Sequence, residues 1–395
     1  MRKKTWDNVG WHATPEKFSA EFRAIITPFV RKKFNQRRKV VILDLFAGDG
    51  RLGKEAESIL HQKNTYTTYV EVVKNRAKKI KGSPSKYAVI VQNAFSWEPN
   101  KKFDLIVSNP PYQLLTGNDS EKYGFSWDYA REHARNLYAM GIVKCLELCE
   151  ANGMVAVIAP FSWLRGQQSE KFRTKIESYC SYVFIKANNN RGIFEDVHQD
   201  VGIQIFFRRN LGHSEATKWL FSYNGSKKYV PITVHNSNKF KKISNLKIRV
   251  GPIVWNRSKK HLASTKNNKT IPLVYGGNIS HDGTLNLESE RYSKKQYIRM
   301  SGVQKTDLYH SPLLLIRRIM RGRPGKWEID SCLLTKKIFC TVENHVIVIQ
   351  LPTISTDKAK KFHKQLISKL TKYYYLSGSP NISTRVVQEI AGKIY

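Results

Sequence analysis

Short apolar runs alternate with helix-length amphipathic stretches between residues 40 and 210. This alternation predicts a parallel α/β sheet with helices packed against it. Seven runs have the length of strands, at residues 40–45, 67–70, 88–91, 103–107, 154–159, 182–185 and 201–207. A helix is expected from residue 127 to about residue 151, because Gly153 ends it just before the fifth run.

The pattern changes beyond residue 211, where Lys, Asn, Ser and Gly become frequent. Short β-like runs recur at residues 253–255, 313–316 and 346–351, and a helical period returns at residues 356–370. We therefore expect a first domain at residues 1–210, a linker at residues 211–244, and a smaller mixed α+β domain at residues 245–395.

The net charge of the chain is the strongest signal in its composition. The 395 residues include 67 Lys and Arg against 31 Asp and Glu, which gives a formal charge of +36 at pH 7. Such an excess favours a polyanionic partner, since each basic side chain that docks on a phosphate releases condensed counterions. The alternative explanation is a basic surface that serves solubility alone.

The rest of the composition predicts a folded, soluble protein of the cytoplasm. A hydrophobic share of 41% supports a real core. We expect neither a signal peptide nor a membrane span, because no run approaches about 18 consecutive apolar residues. The five cysteines are scattered without the spacing of a metal or redox site, so reduced thiols and no bound metal are expected.

A glycine turn follows the first apolar run, in the sequence Asp-Leu-Phe-Ala-Gly-Asp-Gly at residues 44–50. Ligands of doubly wound sheets bind at the carboxyl ends of the strands, where glycines let the backbone approach them closely. Such a turn is weak evidence alone. Glu71 ends the second run about 20 residues further on, a spacing that favours a ribose-binding carboxylate over a solvated strand end.

The most informative segment is Asn109-Pro110-Pro111-Tyr112, directly after the fourth apolar run. The prolines fix φ and restrict the residues before them, so the backbone at Asn109 is rigid. The N6 amine of adenine is a poor nucleophile, because its lone pair is delocalised into the ring. An Asn oxygen and a neighbouring carbonyl can accept its two protons and stabilise the developing positive charge. The ordinary alternative is a Pro-Pro turn that closes a strand.

These motifs and their order make residues 10–210 resemble the gamma class of N6-adenine DNA methyltransferases of restriction–modification systems. The glycine loop comes first in that class, Asn-Pro-Pro-Tyr second and the target-recognition domain last. The resemblance implies a Rossmann-like, seven-stranded class I methyltransferase sheet and S-adenosyl-L-methionine as the cofactor. It also implies methyl transfer to an adenine that is flipped out of duplex DNA. The first domain would then be catalytic and the C-terminal domain would recognise DNA.

The resemblance assigns roles to single residues. Asn109, Pro110 and Tyr112 are implied to be catalytic, and Tyr112 and Phe194 to stack on the two faces of the flipped adenine. A lone Phe before a strand is otherwise a core residue. The residues implied to bind the cofactor are Thr14, Asp44, Phe46, Ala47, Gly48, Glu71, Asn93 and Asn109.

One segment departs from the family pattern. Asn93 stands where the family usually has an Asp, and Ala94 stands where an aromatic residue usually follows. Asn93 can still accept a hydrogen bond from the adenine amine of the cofactor, with less charge. Phe95 or Tyr112 is then expected to supply the aromatic contact.

The C-terminal domain carries four arginines in and around a glycine-proline loop: Arg317, Arg318, Arg321 and Arg323. Arginines on such a loop can bind phosphates or reach guanine edges in the major groove, so they are the expected DNA contacts. The alternative for each of them is a solvated basic loop.

The expected partner is duplex DNA, bound by a monomer, and a restriction endonuclease for the same site is a second candidate partner. Two alternatives stay open on the sequence: an RNA N6-adenine methyltransferase with the same motif, and an inactive binding module that retains the fold. The large basic C-terminal domain favours duplex DNA. The intact residues 109–112 favour an active enzyme.

Overall fold

The computed structural model of the chain describes residues 13–60, 63–80, 86–116, 123–133, 135–164, 169–187, 201–210, 215–223, 226–229, 246–287, 295–322, 326–336, 338–351, 354–375 and 381–394. The chain divides into two compact units, Met1–His235 and Asn236–Tyr395. They are called the first and the second unit, and each has a hydrophobic core of its own.

The first unit is built on one large sheet. Its strands are β1 (Lys39–Leu45), β2 (Asn64–Val70), β3 (Lys86–Ile90), β4 (Phe103–Ser108), β5 (Cys149–Pro160), β6 (Cys180–Ala187), β7 (Val201–Arg208), β8 (Lys218–Tyr223) and β9 (Ser226–Tyr229). Their spatial order is β3-β2-β1-β4-β5-β7-β6-β8-β9. Strands β1 to β5 are parallel to one another, whereas β7 is antiparallel to β5 and β6. The carboxyl ends of β1, β2 and β4 therefore meet at one edge of the sheet.

Helices cover both faces of this sheet. They are α1 (Glu16–Phe34), α2 (Arg51–Ile59), α3 (Lys74–Ala77), α4 (Trp127–Glu132), α5 (Leu137–Leu148) and α6 (Glu170–Tyr179). Leu105 and Val107 of β4 are buried in the main core with α1 and α2. The next residue, Ser108, faces the other way and interacts with Cys145 of α5. Helix α5 thus lies behind the strand that leads into Asn109.

Each of the seven predicted runs coincides with one of the strands β1 to β7, although residue 91 lies just beyond β3; among the described residues the sheet has nine strands rather than seven. The two further strands fall in residues 211–244, which the sequence pattern predicts to be a linker. Strand β8 pairs with β6, and its Trp219 and Phe221 are buried next to Trp163 and Phe161. The first unit therefore continues beyond residue 210, because Trp219 and Phe221 are buried only when β8 pairs with the edge of the sheet.

The single helix predicted from residue 127 to about residue 151 is wrong. Arg135 has a φ of 56°, in the left-handed region, and it separates α4 from α5. Its carbonyl accepts a hydrogen bond of 2.7 Å from the backbone of Leu115, a long-range contact that a local pattern cannot contain. Helix α5 ends at Leu148, so Gly153 lies within β5 and does not end the helix.

In its described residues, the second unit has two small sheets and two α-helices. Its elements are β10 (Lys247–Val250), β11 (Leu262–Ala263), β12 (Thr270–Val274), β13 (Tyr297–Arg299), β14 (Tyr309–His310), β15 (Leu313–Arg317), β16 (Ser331–Leu334), β17 (Phe339–Val342), β18 (Val346–Gln350), α7 (Thr356–Tyr374) and α8 (Thr384–Gly392). The sheets have the orders β10-β18-β15-β16 and β11-β13-β12-β17-β14. The predicted runs at residues 313–316 and 346–351 lie in β15 and β18, whereas Ile253 forms one isolated bridge.

The core of the second unit has two layers. Leu314 and Ile316 of β15 pack with α7 and α8, and Leu313 and Leu315 pack on the opposite side with residues of the five-stranded sheet. This alternation is the period of two that a strand buried on both faces requires. The four-stranded sheet is therefore enclosed between the helices and the second sheet.

In the part of the chain that the structure describes, no helix combines the length and the apolarity needed to cross a membrane. The five cysteines are free and buried. Among the same described residues, no group of three or more His, Cys, Asp or Glu side chains is arranged to hold a metal ion.

Candidate active site

The loop after β1 contains three residues with left-handed backbone conformations. The φ angles are 65° at Phe46, 58° at Gly48 and 78° at Gly50. Glycine adopts this region freely, but a residue with a side chain pays on the order of 1–3 kcal/mol, so Phe46 is strained. The carbonyl of Val70 at the end of β2 holds the loop by accepting a hydrogen bond of 2.9 Å from Ala47. Strain of this kind concentrates where a backbone must fit a ligand.

Two buried carboxylates hold the loop from below. One oxygen of Asp44 accepts a hydrogen bond of 2.8 Å from the backbone N–H of Gly53, at the start of α2. Glu71 accepts from the backbone N–H groups of Gly48 and Val73, both at 2.8 Å. Asp44 and Glu71 are 1% and 4% exposed, which places two acids in a region of low dielectric.

Burial shifts the pKa of both acids. It raises the pKa of the Asp44 carboxyl well above the usual range, although the hydrogen bond from Gly53 opposes the shift. It also raises the pKa of Glu71, against the hydrogen bonds from Val73 and Gly48 and the charge of Arg76. A cationic ligand beside these groups would favour their ionised forms.

A cleft opens above the loop, and the empty space in it, including the part open to solvent, is about 290 Å³. The residues that line it are Ala13, Thr14, Asp44, Phe46, Ala47, Gly48, Asp49, Arg51, Leu52 and Asn109. Six of the eight residues expected to bind the cofactor are among them, and Glu71 and Asn93 are not.

The side-chain amide of Asn109 is fixed at the rim of this cavity. Its Nδ2 donates a hydrogen bond of 3.0 Å to the hydroxyl of Thr14, and its Oδ1 accepts one of 2.6 Å from the hydroxyl of Tyr112. The Tyr112 hydroxyl is also 3.1 Å from the carbonyl of Ile158 in β5. The N-terminal segment, the fourth strand and the fifth strand thus meet at one amide.

The ring of Tyr112 is partly buried against the main core and lies edge-on to Tyr138 of α5, with 6.4 Å between the centroids. Burial raises the pKa of Tyr112 well above its usual range, so the hydroxyl stays protonated and remains a hydrogen-bond donor. At physiological pH the single hydroxyl proton can be donated either to Asn109 or to the carbonyl of Ile158, and the contact with Asn109 is the shorter one.

Both polar atoms of the Asn93 side chain form hydrogen bonds with the protein backbone. Its Oδ1 accepts from the backbone N–H of Phe95 at 3.0 Å, and its Nδ2 donates to the carbonyl of Tyr123 at 3.1 Å. These bonds place Phe95 beside Phe46, with ring centroids 5.1 Å apart. Of the aromatic candidates near the loop, Phe95 is therefore the one next to the strained residue.

Sequence reasoning did not single out several residues of this region. Asp49, Arg51 and Leu52 line the cavity, and the signal for them was their place directly within or after the glycine turn. The ring of Tyr69 supports the turn from beneath, because a Cβ added at Gly53 would lie 2.4 Å from its Cε1 atom. No local pattern in the sequence marks that contact.

Two of the arginines expected to contact DNA, Arg317 and Arg321, have acidic partners. Asp330, which is 2% exposed, binds Arg321 at 2.8 Å and Arg317 at 3.4 Å. His281 lies 3.5 Å from the same carboxylate. Arg318 is partly buried, and its backbone N–H donates to His345. Asp330 thus orients two of the four arginines that were expected to contact DNA.

Two residues named by the sequence argument lie outside the described residues: Phe194 and Arg323. The stacking role expected of Phe194 and the contact expected of Arg323 therefore stay predictions.

Comparison with known proteins identifies the part of the chain that carries this site. Residues 29–194 match the family model of the Eco57I restriction-modification methylase. The chain is 25% identical over 321 residues to the Type II methyltransferase M.CvrRI of Paramecium bursaria Chlorella virus XZ-6E, which covers 78% of this chain and 76% of that protein. The two findings support a methyltransferase of the restriction–modification type.

Solved structures share the fold over nearly the whole chain. A nuclease-deletion mutant of the Type ISP restriction-modification enzyme LlaGI, solved with a DNA substrate mimic, has a TM-score of 0.52 at 11% identity and covers 97% of this chain. The ATP-dependent Type ISP enzyme LlaBIII, bound to DNA, has a TM-score of 0.50 at 11% identity and covers 98%. The chain spans about half the length of these two enzymes, 54% and 40%.

Proposed function

We propose that this chain is an S-adenosyl-L-methionine-dependent DNA methyltransferase that methylates the N6 amine of adenine in duplex DNA, as the modification enzyme of a restriction–modification system. One observation carries the proposal. The Asn109 amide is held on a rigid Asn-Pro-Pro segment at the rim of a cavity that the glycine loop lines. The amide oxygen of Asn109, which can accept a hydrogen bond from an amine, therefore lies next to the cavity in which we propose that a nucleoside-like cofactor binds.

The residues around the cavity fit this cofactor. Left-handed glycines remove side chains where a ligand must approach the backbone, and the carboxylate of Asp44 lines the cavity, where it can face a cation or accept from hydroxyls. Glu71 holds the loop from outside this lining, next to the end of β2. Thr14, Ala47 and Phe46 complete the wall. When it is bound, S-adenosyl-L-methionine supplies an electrophilic methyl group on a sulfonium.

The protein's own contribution to the reaction is positioning and electrostatics. Asn109 Oδ1 would accept one proton of the adenine amine and a neighbouring backbone carbonyl the other, which turns the lone pair of the nitrogen out of conjugation. Positive charge grows on that nitrogen during transfer, and oriented dipoles stabilise it without reorganisation. Pro110 and Pro111 keep the acceptors in place, so the amine is held in line for displacement.

The hydrogen bond from Tyr112 leaves room for a substrate amine. A carbonyl oxygen has two lone pairs, so Asn109 Oδ1 can accept from Tyr112 and from a base together. Tyr112 would fix the amide with its hydroxyl and stack on the adenine with its ring, and Phe194 would cover the other face. DNA contacts would come from the excess of basic residues, with Arg317, Arg318, Arg321 and Arg323 among them.

The proposal predicts that DNA, and not RNA, receives the methyl group. Purified protein with tritiated cofactor should label plasmid DNA, and digestion of the product should yield labelled N6-methyladenine. Total RNA at the same nucleotide concentration is the matched substrate and should stay at the background of heat-inactivated protein. Label in RNA alone would replace the proposed substrate, and label in neither would contradict the enzyme activity.

Cofactor binding should weaken as the pH falls, and should start to do so at a higher pH than exposed carboxyls allow. The pKa of Asp44 and that of Glu71 are both raised by burial, so these groups take up protons early during acidification. Once protonated, they lose the charge that favours a sulfonium ligand. Calorimetric titration across the pH range measures this effect.

The demethylated product, S-adenosylhomocysteine, is the control for that titration because it lacks the sulfonium charge. Its affinity should depend less on pH than the affinity of the cofactor. Parallel pH profiles for the two ligands would mean that the buried acids do not sense the sulfonium.

A further inference from the structure

Gly141 lies in the middle of α5, a helix that is buried along almost its whole length. A Cβ atom added at this position would lie 2.7 Å from the Cβ of Pro110 and 3.1 Å from Cε2 of Phe46. Two segments that are far apart in the sequence, the glycine loop and the Asn-Pro-Pro-Tyr segment, therefore rest on the same glycine.

Neither neighbour can move away easily. The Cβ of Pro110 belongs to a rigid pyrrolidine ring, so it cannot rotate away from the helix. Pro110 also lies between Asn109 and a second proline, Pro111, which restricts its backbone. Phe46 has a left-handed backbone with φ of 65°, and its ring also contacts Phe95 at a centroid distance of 5.1 Å. A methyl group at residue 141 must displace at least one of them by several tenths of an ångström.

A glycine inside a helix needs a physical reason, because it costs conformational entropy and favours the unfolded chain relative to alanine. The neighbouring positions of α5, Ala139, Met140 and Ile142, all carry side chains and are buried. Close packing on the two functional segments is a reason that the distances supply.

We propose that Gly141 is a positioning residue: it sets the separation between the Asn109 segment and the cofactor-binding loop. This inference rests on the proposed function. A residue at this place touches neither cofactor nor base, but it fixes how far the acceptor of the amine stands from the cavity that holds the methyl donor. A shift of Pro110 is passed directly to Asn109, whose amide bonds Thr14 at 3.0 Å.

The test uses the full chain with the substitution Gly141→Ala. The rate of methyl transfer at saturating DNA and cofactor should fall about 30-fold or more, since displacements below 1 Å at a reacting geometry have effects of this order. The dissociation constant of the cofactor, measured without DNA, should rise about fivefold as Phe46 moves. Both are compared well below the melting temperature of each variant.

Gly153→Ala is the matched control. A Cβ there would lie 2.6 Å from Sγ of Cys149 and 2.9 Å from the carbonyl oxygen of Asp104, so it disturbs the same sheet as severely, but near the start of β5 and away from the cavity. This variant should melt at a lower temperature and yet transfer methyl groups within about twofold of the native rate, as is usual for changes remote from a site.

The outcomes separate the two proposals. If both variants lose rate in proportion to their loss of melting temperature, or if Gly141→Ala keeps its rate and cofactor affinity within twofold of the native chain, Gly141 is not a positioning residue. If the native chain methylates no DNA, the proposed function falls, and the cofactor titrations alone still decide the inference. Weaker cofactor binding by Gly141→Ala, with native binding by Gly153→Ala, would support it even then.

Discussion

Replacing Asn109 by alanine should lower the rate of methyl transfer by about 10³-fold, the loss typical of removing a preorganised group that stabilises charge in the transition state. The Asn109→Ala chain keeps the prolines and the glycine loop, so its affinity for S-adenosyl-L-methionine should stay within a few-fold of native. The substitution also removes the 3.0 Å hydrogen bond from Asn109 to the Thr14 hydroxyl on the cofactor side.

Single-turnover transfer of tritiated methyl groups and calorimetric binding of the cofactor measure the two quantities separately. Asn64→Ala is the control, since Asn64 is an exposed amide at the start of β2 in the same unit. It should transfer at the native rate. An equal loss of rate and cofactor affinity in Asn109→Ala would show that the segment supports the fold rather than the reaction.

Replacing Glu71 by alanine should weaken cofactor binding by about 10²-fold. Glu71 accepts two backbone hydrogen bonds, and one of them holds Gly48 within the left-handed loop. Hydrogen bonds to a charged group contribute about 1.5–3 kcal/mol each. Because a loss of about 1.4 kcal/mol lowers affinity tenfold, even partial loss of the loop geometry is enough to weaken cofactor binding about 10²-fold. Loss of an acceptor for ribose hydroxyls acts in the same direction.

Calorimetry on the Glu71→Ala chain tests this expectation, with Glu150→Ala as the control because Glu150 is an exposed acid of the same unit. Glu71→Gln should fall between the two, since an amide keeps one acceptor but turns a donor toward an N–H group. Unchanged affinity with a lower free energy of unfolding would assign Glu71 to the support of the loop alone.

The strands were predictable because a strand buried on both faces has a continuous apolar sequence. Leu43, Leu105 and Val155 belong to such runs, and all are completely buried. Strand β8 escaped prediction because its Trp219 and Phe221 stand among lysines and serines, and their burial depends on Phe161 and Trp163, over 50 residues earlier. The break between α4 and α5 likewise depends on the distant Leu115.

The candidate site likewise has parts that follow from local sequence and parts that depend on tertiary contacts. The glycine turn and Asn-Pro-Pro-Tyr are local patterns whose backbone consequences follow from glycine and proline themselves. The partners that give them geometry are tertiary: Thr14 on Asn109, Tyr69 beneath Gly53, and Gly141 behind Pro110. The pairing of Arg317 and Arg321 with Asp330 is tertiary as well, and a run of arginines could not disclose that a buried acid already holds two of them.

Under the proposed function, the orientation of the Asn109 amide bears on which nucleobase the pocket accepts. One N–H of Nδ2 donates to Thr14, and Oδ1, which accepts from Tyr112, keeps a second lone pair toward which an incoming amine can donate. The keto oxygen on the corresponding edge of guanine or thymine would be repelled by Asn109 Oδ1, whereas the exocyclic NH₂ of adenine or cytosine would donate a hydrogen bond to it. The proposed function therefore predicts that the orientation of one side chain disfavours two of the four DNA bases, before any contact with the flanking sequence.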